Sequence, residues 1–161
     1  MLRVTLAALA ALALLPATAA AQPPVCDRDT IEQAVIAAGK ATLQDFEEFG
    51  RAVALVRCGD VTNDGAADAV FTVYSGGTAG DTNFGVLRGG SRELVLYRQG
   101  YKIGLDRRNR RSFAVIQPNY RRTDANCCPS SFRIRRYTWT GSRFKTGKAR
   151  KVKRAPKRFY D

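Results

Sequence analysis

Phe132-Arg133-Ile134-Arg135-Arg136-Tyr137-Thr138-Trp139-Thr140-Gly141-Ser142-Arg143-Phe144 is the stretch on which the fold turns. Phe132 and Ile134 alternate with Arg133 and Arg135, the period of two that marks a half-buried strand, and Arg136-Tyr137 then shift the phase. Trp139 to Phe144 reads as a hairpin turn between strands that carry aromatics. Working back towards the N-terminus, similar short β-prone runs separated by Gly and Asn occupy residues 52–57, 69–74, 84–87, 93–97 and 112–117. One helix is expected, over 30–38. Asp29-Thr30-Ile31-Glu32 has the form of a capping box there, and Ile31, Ala34, Val35 and Ala38 fall at helical spacing before Gly39. The expected fold class is α+β: a mostly antiparallel sheet, one N-terminal helix and a disordered basic C-terminal tail.

Residues 1–21 read as a cleavable signal peptide. Arg3 supplies the positive region, 4–15 an apolar core too short to span a bilayer, and Ala19-Ala20-Ala21 the cleavage pattern. The alternatives are a retained anchor, which Pro16 argues against, and a lipid on Cys26, which Val25 argues against because lipoprotein processing wants a small residue there. Cleavage leaves 22–144 as one β-rich domain and 145–161 as the tail, with no transmembrane anchor. The expected location is secreted or extracytoplasmic, associated with the cell envelope.

Charge is divided unevenly. The chain carries a formal +13, yet residues 22–100 hold 7 Lys or Arg against 11 Asp or Glu, and residues 101–161 hold 19 against 3. Eight of the fourteen residues from 145 to 158 are Lys or Arg, too polar to offset the entropy of ordering. Lys148, Arg150, Lys151, Lys153, Arg154, Lys157 and Arg158 are therefore candidate contacts for a polyanion: a cell-wall polymer, an anionic membrane surface or nucleic acid. The only aromatics of the tail, Phe159 and Tyr160, stand at its end, which weakens a single-stranded nucleic-acid reading.

The remaining chemistry lies in Asp60-Val61-Thr62-Asn63-Asp64-Gly65-Ala66-Ala67-Asp68. Oxygen-bearing side chains at loop positions 1, 3, 5 and 9, with glycine at 6, are how a chain wraps a hard cation. Asp60, Thr62, Asp64, the Ala66 carbonyl and Asp68 are the expected ligands and calcium the expected ion. Position 12 is Phe71 rather than Glu, and no helix pattern flanks the loop, so the helix-loop-helix sensor reading fails. The competing reading is an ordinary turn, for which Asn63-Asp64-Gly65 alone suffices. The loop resembles the calcium loops of FG-GAP and VCBS-type repeats in extracellular proteins, where the loop leads directly into a strand. Thr62 departs from the usual Asp or Asn at its position.

Cys26, Cys58, Cys127 and Cys128 form an even set, expected to be paired after export, and four cysteines allow three connectivities. Either Cys127 and Cys128 close on each other or they reach separately to Cys26 and Cys58. The favoured pairing is Cys26 with Cys58, tying the start of the helix to the acidic loop, and Cys127 with Cys128. Cys58-Gly59-Asp60 and its loop, Ser75-Gly76-Gly77-Thr78-Ala79-Gly80, Tyr120, Asp124-Ala125-Asn126-Cys127-Cys128-Pro129-Ser130 and Trp139-Thr140-Gly141 together resemble the LppP/LprE type of secreted bacterial envelope protein. The lipid-attachment signal of its lipoprotein members is missing here.

Histidine is absent, which removes Ser-His and Cys-His nucleophile pairs. A carboxylate pair of Asp81 with Asp64 or Asp68 is the remaining catalytic option, and Gly76-Gly77-Thr78-Ala79-Gly80 lacks the Gly-Lys-Ser/Thr of a phosphate-binding loop. The expectation is a non-enzymatic, calcium-stabilised envelope or extracellular module with a binding or surface-interaction role. The rival is a polyanion binder acting through the basic half.

Overall fold

Asp27, two residues before the expected cap, starts the helix. Its backbone is extended and its carboxylate accepts the Thr30 N–H at 2.9 Å and the Thr30 hydroxyl at 3.1 Å, whereas Asp29 already lies in the first turn. In the computed structural model, which describes residues 24–154 and 156, helix α1 runs Arg28–Ala37. A capping box does exist, one helix later. Thr42 and Asp45 satisfy each other's backbone N–H groups at the start of α2, Leu43–Glu47, which is too short to leave a periodic signal. The expected signal peptide lies outside the described residues.

Among the described residues nine strands follow, all paired antiparallel. β1 Ala52–Gly59, β2 Asp68–Tyr74, β3 Asp81–Leu87 and β4 Leu94–Gln99 form one sheet in sequence order. β5 Gly104–Asn109, β6 Ser112–Asn119, β7 Ser131–Trp139 and β8 Phe144–Thr146 form the second, and β9 Arg150–Val152 pairs with β7 beside β8. Six strands overlap the expected runs. β5 escapes the pattern because its sequence, Gly-Leu-Asp-Arg-Arg-Asn, is mostly polar, with Leu105 as its apolar contribution to the core between the sheets.

β2 explains the layering. Every residue from Asp68 to Val73 is buried, so both faces of this strand are covered. Ala69, Phe71 and Val73 face Ile31 and Val35 of α1, while Val70 joins Phe84, Val86 and Leu96 against Leu105, Phe113, Val115 and Tyr137 of the second sheet. The order is helix, sheet, sheet. Gly85 makes room for this packing. In register it lies between Phe71 on β2 and Tyr97 on β4, and a Cβ there would stand 2.6 Å from the Phe71 ring.

β7 divides its faces in the way its phase shift implies. Phe132 and Ile134 join Ala114 and Ile116 on the outer face, and Tyr137 enters the cluster between the sheets. The β-rich body also extends past the expected boundary at Phe144. Residues 145–152 include β8 and β9, which hydrogen-bond to the free edge of β7, and Val152 packs on the outer cluster. Strand pairing uses backbone groups, so cationic side chains such as Lys145 and Lys151 can stay in solvent while the chain is ordered. Residues 155 and 157–161, with Lys157 and Arg158, lie outside the described residues.

Candidate functional site

The acidic loop enters β2 through Asp68, whose carboxylate is fully buried. Oδ2 accepts the N–H groups of Val61 at 2.8 Å and Thr62 at 2.7 Å; Oδ1 accepts the Thr62 hydroxyl at 3.2 Å and the Gly89 N–H at 2.9 Å. Four donors fill the roughly four acceptor directions of a carboxylate. Asp60 takes the N–H groups of Asp64 and Gly65, one on each oxygen. Asp64 takes the Ala66 N–H at 2.9 Å and the Arg88 Nε–H at 2.7 Å, contacts that hold its carboxyl below the usual range. Asn63 and Gly65 adopt the positive φ that the turn needs.

The five expected calcium ligands thus share one turn without forming one cage. Asp68 has no acceptor direction left for a cation, and Thr62 is 4% exposed with its hydroxyl turned to Asp68. Among the described residues no group of three or more His, Cys, Asp or Glu side chains is placed to hold a metal. The side chains on this turn able to meet a cation narrow to Asp60 and Asp64, and Arg88 already stands against the latter.

A cleft of about 340 Å³ opens beside the loop, between Asp64, Arg88, Arg111 and the Trp139-Thr140-Gly141 turn. The Arg88 guanidinium carbon lies 5.9 Å from the Trp139 ring centroid. The proposed carboxylate pair is not assembled. Asp81 pairs with Tyr74 at one end of β2 and Asp68 begins the other, a separation of about 20 Å at strand rise. Glycosidase pairs stand about 5 to 9.5 Å apart. Asp81 instead accepts the Thr72 hydroxyl, whose oxygen takes the Leu55 N–H at 3.0 Å beside the irregular register of β1, and burial pushes the Asp81 carboxyl up. Gly76 to Gly80 form the β2–β3 turn, closed by Ser75 N–H to Gly80 O at 3.0 Å.

The favoured cysteine pairing is the one found: Cys26 with Cys58 and Cys127 with Cys128. The loop bearing the adjacent pair is gripped just before it. Lys102 Nζ donates to the Asn126 carbonyl at 2.7 Å and to its Oδ1 at 2.9 Å, the Tyr101 hydroxyl donates to Oδ1 at 2.9 Å, and the Tyr120 hydroxyl to the carbonyl at 2.7 Å. The ammonium lies 5.6 and 5.8 Å from the two ring centroids. Asp124 closes the loop by accepting from Ser130 and from the Arg121 N–H. Sequence reasoning placed Tyr120 and Asn126 in a distinctive stretch but had no signal for Tyr101 or Lys102.

Of the candidate polyanion contacts, Arg150 and Lys151 stand on β9, Lys148 precedes it, and Lys153 and Arg154 follow; all five are exposed. They join Arg133, Arg135 and Arg136 of β7 and Arg143 and Lys145 of the next turn and strand, also exposed and not singled out from sequence. Two ion pairs between described side chains, Arg51–Asp45 and Arg88–Asp64, both fall within residues 22–100. In comparisons with protein-family models, curated proteins and solved structures, nothing matches this chain.

Proposed function

We propose that this chain is an interaction module for anionic polymers at an extracytoplasmic surface, acting through its second sheet. One observation carries the reading: the exposed cations of β7, β8 and β9 have almost no acidic counterpart within their own sheet. Its described carboxylates are Asp106, which is buried, and Asp124, which is spent on Ser130 and the Arg121 N–H. Like charges held on a rigid sheet repel one another, and a polyanion relieves that repulsion while releasing counterions. Paired cysteines and the export expectation for residues 1–21 support an extracytoplasmic compartment. The test is binding of residues 22–161 to an anionic polymer at several salt concentrations. A steep fall in affinity with salt supports the reading, and salt-independent or absent binding overturns it.

A structural calcium is the second reading, favoured by Asp60 and Asp64 facing one exposed turn. It requires Arg88 to leave Asp64, and its test is a calcium titration of melting temperature with and without that arginine.

A further inference from the structure

We propose that the groove between β4 and the β7–β8 hairpin is the subsite where an anionic saccharide or polyol-phosphate chain lies, an inference that rests on the polyanion reading above. The groove encloses about 650 Å³ and is lined by Arg98, Thr140, Ser142, Arg143, Phe144 and Lys145. Its cations come from three separate places: Arg98 from edge strand β4, Arg143 from the turn, Lys145 from β8. No carboxylate lines it. Three like charges around one groove are unfavourable until an anion enters.

The lining also bears on the class of polymer. Sequence-independent binding of single-stranded nucleic acid relies on open aromatic faces for base stacking. Phe144 is half-buried, with Phe113 edge-on and Trp139 tilted against it, and it is the single aromatic among the lining residues. The exposed tyrosines, Tyr74 and Tyr101, stand outside the groove. What the groove does offer is Arg and Lys heads for carboxylate or phosphate and a Ser142 hydroxyl for a polyol, the chemistry of an anionic saccharide or polyol-phosphate chain. The competing role for Arg98 and Lys145 is to keep edge strands β4 and β8 from pairing with other copies.

The experiment compares two triple variants of residues 22–161 that each remove three charges: Arg98→Gln/Arg143→Gln/Lys145→Gln in the groove, and Arg136→Gln/Lys148→Gln/Arg150→Gln on the outer face. The probes are polygalacturonate, polyglycerol phosphate and oligo-dT, with circular dichroism and sedimentation as checks on fold and association. The groove variant is expected to lose about 30-fold or more in affinity for the first two probes and the outer-face variant less than about fivefold. Preference for polygalacturonate or for polyglycerol phosphate separates carboxylate from phosphate, and binding to either supports the class. Equal losses in both variants overturn the groove while leaving the polyanion reading standing. Aggregation of the groove variant with binding intact assigns Arg98 and Lys145 to edge protection and overturns it. Tighter binding to oligo-dT overturns the saccharide or polyol-phosphate class, and no binding to any probe by the unsubstituted chain overturns both readings.

Discussion

Arg88 donates from Nε to Asp64 Oδ2 at 2.7 Å, joining the residue after β3 to the turn before β2. Because the same guanidinium lies over Trp139 of β7, the pair also ties the acidic loop to the second sheet. The arginine already occupies the place where a cation would meet Asp64.

Arg88→Ala is therefore expected to do two things. Stability falls by about 1 kcal/mol, from a partly exposed ion pair and a ring contact of similar size. Calcium is expected to leave the melting temperature of the unsubstituted chain within about 1 °C and to raise that of the variant. Differential scanning calorimetry with calcium and with EDTA reads both effects. A rise of several degrees in the unsubstituted chain contradicts the competition between Arg88 and the ion.

Asp68→Ala strands three backbone N–H groups and the Thr62 hydroxyl in a buried site. The cost is expected to reach about 3 kcal/mol or more, with a drop in melting temperature of roughly 10 °C. Asp68→Asn keeps the shape and part of the acceptor capacity, so its loss is smaller. Urea unfolding of the two variants gives the order.

The two cysteine pairs are expected to differ sharply in their contribution. Cys26 and Cys58 are 32 residues apart, and constraining that loop in the unfolded chain stabilises by about 3 to 4 kcal/mol. Cys127 and Cys128 are neighbours, so the same effect amounts to only about 1 kcal/mol. Denaturant midpoints of the Cys26→Ser/Cys58→Ser and Cys127→Ser/Cys128→Ser variants test the ranking.

Acid is expected to destabilise the chain through Asp27, Asp45, Asp64 and Asp124, whose carboxyls are held below the usual range mainly by hydrogen bonds from nearby backbone and side-chain groups. Their contribution is present above the unfolded value, near pH 4, and is lost as pH falls through the folded values. Asp81 runs the other way: burial raises its carboxyl, so its charged form opposes folding as pH rises. Asp81→Asn should accordingly raise the denaturant midpoint at pH 7 and leave it almost unchanged at pH 3. An equal effect at both values contradicts the burial argument.

The antiparallel sheet and the helix were legible because they are written in periodicity and in turn residues. Phe132 and Ile134 announce one face of β7, and Gly141 its turn. The hairpin also placed Phe144 on a strand, but β9 and the rest of β8 were not legible, because Lys145, Thr146, Arg150 and Lys151 are exposed and read as a solvated basic tail. At the acidic loop, sequence located the turn correctly, but spacing cannot tell a carboxylate aimed at an ion from one aimed at backbone donors. That distinction depends on Gly89 and Arg88, more than twenty residues away. The grip on Asn126 was hidden for the same reason: Lys102 and Asn126 meet only across the fold.

The strand order carries a consequence for how the chain can be delivered. Each strand from β2 to β4 and from β6 to β8 lies against the one made just before it, and Cys58, the partner of Cys26, stands near the end of β1. β5 opens the second sheet, and β9, the last described strand, pairs with β7 instead of β8. A chain threaded N-terminus first through a narrow channel could fold vectorially, each hairpin closing on a finished neighbour as it emerges. The cationic edge would be the final piece set in place.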